Sequence, residues 1–490
     1  MMLNRETLRD LPIDAPSYDR DNIKAGIAHF GVGGFHRAHQ AMYLDRLMND
    51  GVADEWGICG IGVLPADKRM KEALSGQNGL YTLILAHPDG SREPRVIGSI
   101  VDYRYAPDDP EAVIELLADP AIRIISLTIT EGGYNIRDDN GEFDADNPAV
   151  KCDLSGQAPP ATVFGLVTAA LARRRDRGIN SPTIVSCDNI ESNGEVARRA
   201  FTSYAELFDP AVAGWMRDNT RFPNSMVDRI TPATTPEVIE QLESEFGVRD
   251  AWPVVAEPFA MWVLEDDFAD GRPPLDKAGV QLVDDVAPYE AMKLRLLNAG
   301  HQALCYFAYL SGYRLVHEAA HDPVIAEFLS QYWDSEAMPT LERIRGLEEF
   351  KDALLERFGN AHVRDTVARL CAESSDRIPK WLLPVVRDNL RAGGPVRLAA
   401  ATVASWARYA EAVDENGEPI EVVDRLADSL IPIARSQRQN PTAFLENHSV
   451  FGDLVDQPRF VDAYAWALES LHRNGAHATV EALVKQDARP

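Results

Sequence analysis

Residues 292–301, MKLRLLNAGH, carry an amine, an amide and an imidazole in one apolar run: Lys293, Asn298 and His301. At about 100° per residue of α-helix, the three point at roughly 0°, 140° and 80°. One side of one helix can therefore turn all three toward a common space. A solvated stripe on an amphipathic helix would show the same spacing, so the angles alone leave both readings open. The chemistry such a set would perform is proton transfer. A proton-transfer step needs a base. A free lysine, with a pKa of about 10.4, is mostly protonated at neutral pH. Burial beside Met292, Leu296 and Leu297 would lower that value. An amide can donate to an oxygen on which charge develops, and such a bond accelerates a step when it strengthens in the transition state.

A second chemical stretch is IAHFGVGGFHRAHQ, residues 27–40. An apolar strand runs into Gly31, Gly33 and Gly34, and a helix is predicted from about Arg37. Glycines at such a turn let the backbone approach a pyrophosphate that sits on the helix N-terminus. The match to GxGxxG is incomplete, since His36 holds the third position, and a tight turn needing positive φ would explain the glycines equally. The next strand, WGICGIGV, leads into LPADKR. Asp67 is thus placed to accept from an adenosine ribose 2′-hydroxyl, farther along the chain than the usual 20 or so residues. A carboxylate there favours NAD over NADP, while Lys68 and Arg69 pull the other way. His36 and His39 could share a helix face as metal ligands. No cysteine or carboxylate nearby completes a set, so no metal is expected, and capping or packing is the expected role.

Three further stretches put polar groups just past apolar runs: Glu131 in TITEGGY, Asp188 and Asn189 in VSCDN, and Asp228 and Arg229 in NSMVDRITP. Ligand sites of open α/β sheets lie at such strand exits. Loop acids, an Asn189 helix cap and a local Asp228–Arg229 ion pair are the structural alternatives.

The elements that must position these groups change character near residue 285. Before it, β-branched runs (KAGIAHFGV, WGICGIGVL, GLYTLILAH, PRVIGSIVDY, IRIISLTIT, SPTIVSCDN) alternate with amphipathic stretches at 38–49, 110–118, 160–177 and 191–208. That alternation predicts an α/β domain with a mainly parallel sheet. After it, helices are predicted near 287–313, 323–334, 350–370, 380–391, 395–413, 459–474 and 477–486. The reading is a dinucleotide-binding domain over 1–285 and a helical substrate domain over 286–490. A cleft between two such domains is a common ligand site. A length of 490 residues suits two domains better than one. The net charge of −27 disfavours a nucleic-acid surface. Five scattered cysteines without a CxxC pair fit reduced thiols. No stretch reads as a signal peptide or a membrane span. A soluble cytoplasmic protein is expected.

Taken in order and spacing, GVGGFHRAHQ, SLTITEGGY, SCDN, FPNSMVDRITP, KLRLLNAGH and YRLVHE resemble the polyol-specific long-chain dehydrogenases over nearly the whole chain. The resemblance implies a Rossmann domain followed by a helical domain. It implies an NAD-dependent, zinc-independent, monomeric enzyme interconverting a polyol and its ketose, D-mannitol and D-fructose foremost. Fructuronate reduction and D-arabinitol oxidation occur in the same family and stay open. By position, Lys293 matches the general base, and Asn189 and Asn298 match the amides that bind the reacting oxygen. His301 and Asp228 match groups holding substrate and lysine, and Glu131 matches a proton or water relay. Gly31, Gly33, Gly34 and Phe35, with Asp67, fall at the cofactor positions. Arg369 and Arg377 match two basic groups that contact substrate hydroxyls. The family pattern carries lysine where this chain has Arg377, and a planar fork is not equivalent to a mobile point charge.

Overall fold

A computed structural model describes residues 1–137 and 140–487. The chain divides into two compact units, Met1–His87 with Ser91–Ala287, and Pro88–Gly90 with Pro288–Pro490.

The first unit is built on five parallel strands: β1 Ala25–Phe30, β2 Gly57–Gly62, β3 Ile100–Tyr105, β4 Ile124–Leu127 and β5 Thr183–Ser186. Their spatial order is 3-2-1-4-5. The apolar runs are nearly continuous because both faces are covered. On one face Ile27, Ile58, Ile124 and Val185 pack with Ala41, Leu44 and Leu47 of helix Gln40–Asn49. On the other, Ala28, Phe30, Ile61, Ile125, Leu127 and Ile184 pack with helices Pro110–Ala118, Val163–Arg177 and Asn193–Phe208. Register brings Phe30 level with Ile61 and Leu127, and Leu127 level with Ser186. Gly31, Thr128 and Cys187 therefore leave the sheet side by side.

The apolar run 94–103 does not form one strand. It splits at Gly98–Ser99 into Arg92–Ile97, which pairs antiparallel with Tyr81–Ala86, and β3 of the main sheet. The break is fixed by side chains remote in sequence: the Gly98 amide donates to Asp45, and the Ser99 hydroxyl to the Ala41 carbonyl. Short strands at Val254–Ala256, Met261–Glu265 and Gln281–Val283, and helices Pro210–Asn219 and Pro236–Phe246, lie where no element was predicted.

In the second unit all eleven described residues of helix Ala299–Leu310 other than Tyr309 are buried. Arg397–Tyr409, with only Arg397 outside the core, packs against it and against Pro458–Asn474. Helices apolar all round belong to an interior. The predicted helix 350–370 is interrupted: Leu347–Phe358 ends at Gly359, and the chain resumes at Val367–Cys371. Among the described residues no helix is long and apolar enough to cross a membrane.

Candidate active site

The predicted helix around Lys293 is not a plain α-helix. Ala287–Met292 is α-helical, Lys293–Asn298 forms a π-helical turn, and Ala299–Leu310 is α-helical again. An α-helix sets residues five apart about 140° from each other. A π turn is closed by i→i+5 hydrogen bonds, which stack residues five apart, as i→i+4 bonds do for residues four apart. Lys293 and Asn298 are five apart. The π turn thus removes the wide angle that α geometry leaves between the lysine and the amide, and His301 follows one turn later. All three are buried, at 7%, 5% and 7% exposure.

Aromatic side chains hold this turn open. The Trp333 indole donates to the Leu296 carbonyl at 2.9 Å and the Tyr332 hydroxyl to the Arg295 carbonyl at 3.2 Å. Arg295 is tied to Asp388 at 2.6 Å. The Phe358 ring stacks on His301, with centroids 4.2 Å apart, and Trp333 meets the same Phe358 edge-on. Gly300 makes room for the indole: a Cβ there would lie 2.9 Å from Trp333 Nε1 and 3.1 Å from Cζ2. Trp333 and Gly300 were not singled out from sequence. The available signal was a glycine inside a helical pattern, which costs about 1 kcal/mol relative to alanine and marks close packing.

Arg369 directs its fork at Asp365. Arg377 donates to the carbonyls of Arg369 and Leu370 and lies over the Trp381 ring.

In the first unit the glycine turn has the shape a dinucleotide needs. Gly31 has φ +87°, and a Cβ there would sit 2.0 Å from the Thr128 carbonyl oxygen. Only glycine fits. Beside exposed Gly33 the space is open, with nothing nearer to an added Cβ than 3.8 Å. The helix begins at Gly34, three residues before the predicted start, breaks at His39, and continues as Gln40–Asn49. Phe35 is half-buried and stacks on His39. His36 is buried against His29, ring on ring, at 3.4 Å. Burial and the neighbouring His29 hold its pKa well below the usual imidazole value. His39 Nε2 donates to the Met261 carbonyl at 2.9 Å, and its Nδ1 lies 2.9 Å from the Gln40 amide. Both histidines serve packing. Gly31→Ala is expected to abolish NADH binding and lower the melting temperature. The left-handed conformation alone costs an alanine about 1–2 kcal/mol, before the clash with Thr128. A fluorescence titration and a melting curve check it.

Asp67 lies five residues past β2, yet its carboxylate folds back to the strand end. Its Oδ2 accepts from the amides of Val63 and Leu64 at 2.9 and 2.8 Å. The turn 63–66 is thus closed by the acid itself, while most of the sequence separation from the glycines lies before β2 ends at Gly62. Arg69 lies over the Trp252 ring at 4.2 Å, and both it and Lys68 are exposed.

Glu131 is exposed and opens a short 3₁₀ turn after β4, and Asn189 is exposed after β5. Asn189 caps no helix, because the next one starts at Asn193 and its first amides donate to Asn224. Asp228 is buried at the end of strand Ser225–Asp228. Its neighbour Arg229 donates to the carbonyls of Glu257 and Ala38 at 2.9 and 2.6 Å. Arg229 thereby caps the end of the glycine-turn helix, and burial lowers its pKa to about 10.

Sheet order, glycine turn and strand-end carboxylate together define a dinucleotide-binding fold. The chain belongs to the mannitol dehydrogenase family. Its residues 25–277 match the mannitol dehydrogenase Rossmann domain and residues 285–472 the mannitol dehydrogenase C-terminal domain. It is 44% identical to the mannitol 2-dehydrogenase of Phaeosphaeria nodorum over 98% of this chain and 85% of the relative. Identity to the Pyricularia oryzae mannitol 2-dehydrogenase is 42%, over 96% of this chain and 95% of the relative. A ternary complex of Pseudomonas fluorescens mannitol 2-dehydrogenase with NAD and D-mannitol superposes with TM-score 0.87, at 43% identity and full coverage of both chains. A substrate-free D-sorbitol dehydrogenase gives TM-score 0.93 at 40% identity, covering 98% of this chain and 100% of the other.

Proposed function

We propose that this protein is a cytoplasmic, NAD-dependent polyol dehydrogenase that interconverts D-mannitol and D-fructose, with residues 1–285 holding the cofactor and 286–490 supplying the base. The observation that carries the reading is the π turn, which stacks Asn298 over Lys293 and buries both. Gly31, Gly33, Gly34, Phe35 and Asp67 would hold NAD⁺, which would supply the acceptor for the hydride of the carbinol carbon. Lys293 takes the hydroxyl proton in its neutral form, which burial favours over the ammonium. Asn298 and Asn189 donate their amide N–H groups to the oxygen as charge develops on it, and His301 orients the same hydroxyl. Asp228 holds the substrate and the lysine geometry, and Glu131 exchanges the lysine's proton with water. Arg369 and Arg377 contact the outer hydroxyls. In the reduction direction the Lys293 ammonium returns the proton to the ketose oxygen. The Asp67 carboxylate disfavours a 2′-phosphate, while the exposed Lys68 and Arg69 pull the other way.

D-Sorbitol is the second substrate reading, favoured by the TM-score of 0.93 to a D-sorbitol dehydrogenase. Fructuronate fits less well. Its carboxylate needs a basic clamp, and the Arg369 guanidinium is already paired with the Asp365 carboxylate through Nε and Nη2, while Arg377 commits only Nη1. The test is a steady-state panel of mannitol, sorbitol, arabinitol, fructose and fructuronate with NAD(H) and NADP(H), followed by NADH absorbance. The highest kcat/KM is expected for mannitol with NAD⁺. Faster reduction of fructuronate than of fructose would overturn the polyol assignment.

A further inference from the structure

Asp188 precedes Asn189 and is 8% exposed. Its oxygens collect donors from the neighbouring strand exit. Oδ2 accepts from the Ile129 amide at 3.0 Å and the Tyr134 hydroxyl at 2.7 Å, and Oδ1 from the Thr130 amide at 2.8 Å. Thr130 is at φ +62°, ψ 170°, a region essentially reserved for glycine that persists only where surrounding bonds enforce it. The Asp188 carbonyl is fastened as well. It accepts from Asn193 Nδ2 at 3.0 Å, and the same amide group donates to the Ser225 carbonyl at 2.8 Å. Asn193 Oδ1 in turn accepts from the Ser225 amide at 2.9 Å. The Tyr134 hydroxyl also meets Ser186 Oγ at 2.6 Å, and Ser225 Oγ donates to the Ser186 carbonyl at 2.6 Å. One buried network therefore joins the turn leading to Glu131, the loop carrying Asn189 and the strand carrying Asp228.

We infer that Asp188 is a positioning residue for the reaction, fixing the Asn189 amide by bonding its own loop, through side chain and carbonyl, to the strained turn before Glu131 and to strand Ser225–Asp228. This rests on the role proposed above for Asn189. The carboxylate is suited to the task because an ionised acid accepts several hydrogen bonds and donates none. An asparagine would keep one accepting oxygen and turn an NH₂ group toward an amide or hydroxyl that also donates. The Asn189 loop would then shift, and misplacement of about 1 Å can cost on the order of 10²-fold in rate.

The test is a double-mutant cycle of Asp188→Asn and Asn189→Ala in the full chain, reading kcat for mannitol oxidation and NADH affinity. Asp188→Asn alone is expected to lower kcat about 10- to 100-fold with NADH affinity unchanged. In the Asn189→Ala background the same change is expected to have less than about a twofold effect. Full additivity, or wild-type kcat for Asp188→Asn, would overturn the inference. Wild-type turnover of Asn189→Ala by itself would instead remove Asn189 from the proposed mechanism, a result visible without touching Asp188. If Asp188→Asn fails to fold, Tyr134→Phe removes one of the three bonds. It is expected to give a smaller loss with the same dependence on Asn189, and additivity there would overturn the inference equally.

Discussion

Lys293→Ala is expected to lower kcat for polyol oxidation by about 10²- to 10⁴-fold, the range general-base catalysis supplies, with NADH affinity unchanged. Lys293 lies in the helical unit and not on the glycine turn, so its loss leaves the dinucleotide site intact. The pH profile carries more information than the rate. Oxidation needs the neutral amine, so kcat/KM of the wild type rises with pH until the lysine has lost its proton, then levels. Reduction needs the ammonium, and its rate falls through the same pKa. In the alanine variant both limbs should vanish, leaving only the slow rise with hydroxide that any alcohol oxidation shows. Small primary amines added to the assay should restore part of the activity, since the truncated side chain leaves space where the amine stood. Steady-state rates across pH in both directions check this. A variant that keeps the wild-type pH limbs would remove Lys293 as the base.

The alternation of apolar runs and amphipathic stretches was enough to read a parallel sheet in the first part of the chain and helices in the second. Strands buried on both faces leave near-continuous apolar runs that are hard to mistake. The run 94–103 was misread for a physical reason. Whether it forms one strand or two depends on Asp45 and Ala41, some fifty residues away, which capture Gly98 and Ser99. The short strands at 254–256, 261–265 and 281–283 are three to five residues long, too short for a period to emerge. At the site, residue types were legible but geometry was not. Lys293, Asn298 and His301 stand out by chemistry, whereas the π turn that aligns them is imposed by Trp333 and Tyr332 from another helix. Asp67 was legible as a strand-end acid, although only the closed turn 63–66 shows how it returns to the end of β2. The roles of Arg229 and Asp188 are tertiary. One caps a helix far back in the sequence, and the other gathers donors from an adjacent loop, so neither leaves a local signature.

Trp333→Phe is expected to lower kcat about 10- to 100-fold, the scale of an ångström-level misplacement of catalytic groups, and to cost about 1–3 kcal/mol of stability. The stability term follows from the Leu296 carbonyl, which loses its indole donor and keeps only the Ala299 amide. The rate term follows from what the turn would do next. An unlatched segment can recover i→i+4 hydrogen bonds by closing to an α-helix, and that rotates Asn298 to about 140° from Lys293. Base and amide would then no longer face one hydroxyl. Gly300→Ala reaches the same end from the other side. Its Cβ, 2.9 Å from Trp333 Nε1 and 3.1 Å from Cζ2, drives the ring away from Leu296 while every polar partner remains in the chain. Overpacking of this kind typically costs about 1–3 kcal/mol. Because Phe358 touches both the Trp333 and His301 rings, either change should also disturb the imidazole. The two variants together should lose little more than one alone, since both release the same latch. Rates, NADH titrations and denaturant unfolding of the three proteins separate the outcomes. Lower stability with wild-type kcat would make the indole a packing residue and the π turn dispensable for catalysis. Loss of kcat with NADH affinity retained would assign the turn the task of aligning Lys293 with Asn298.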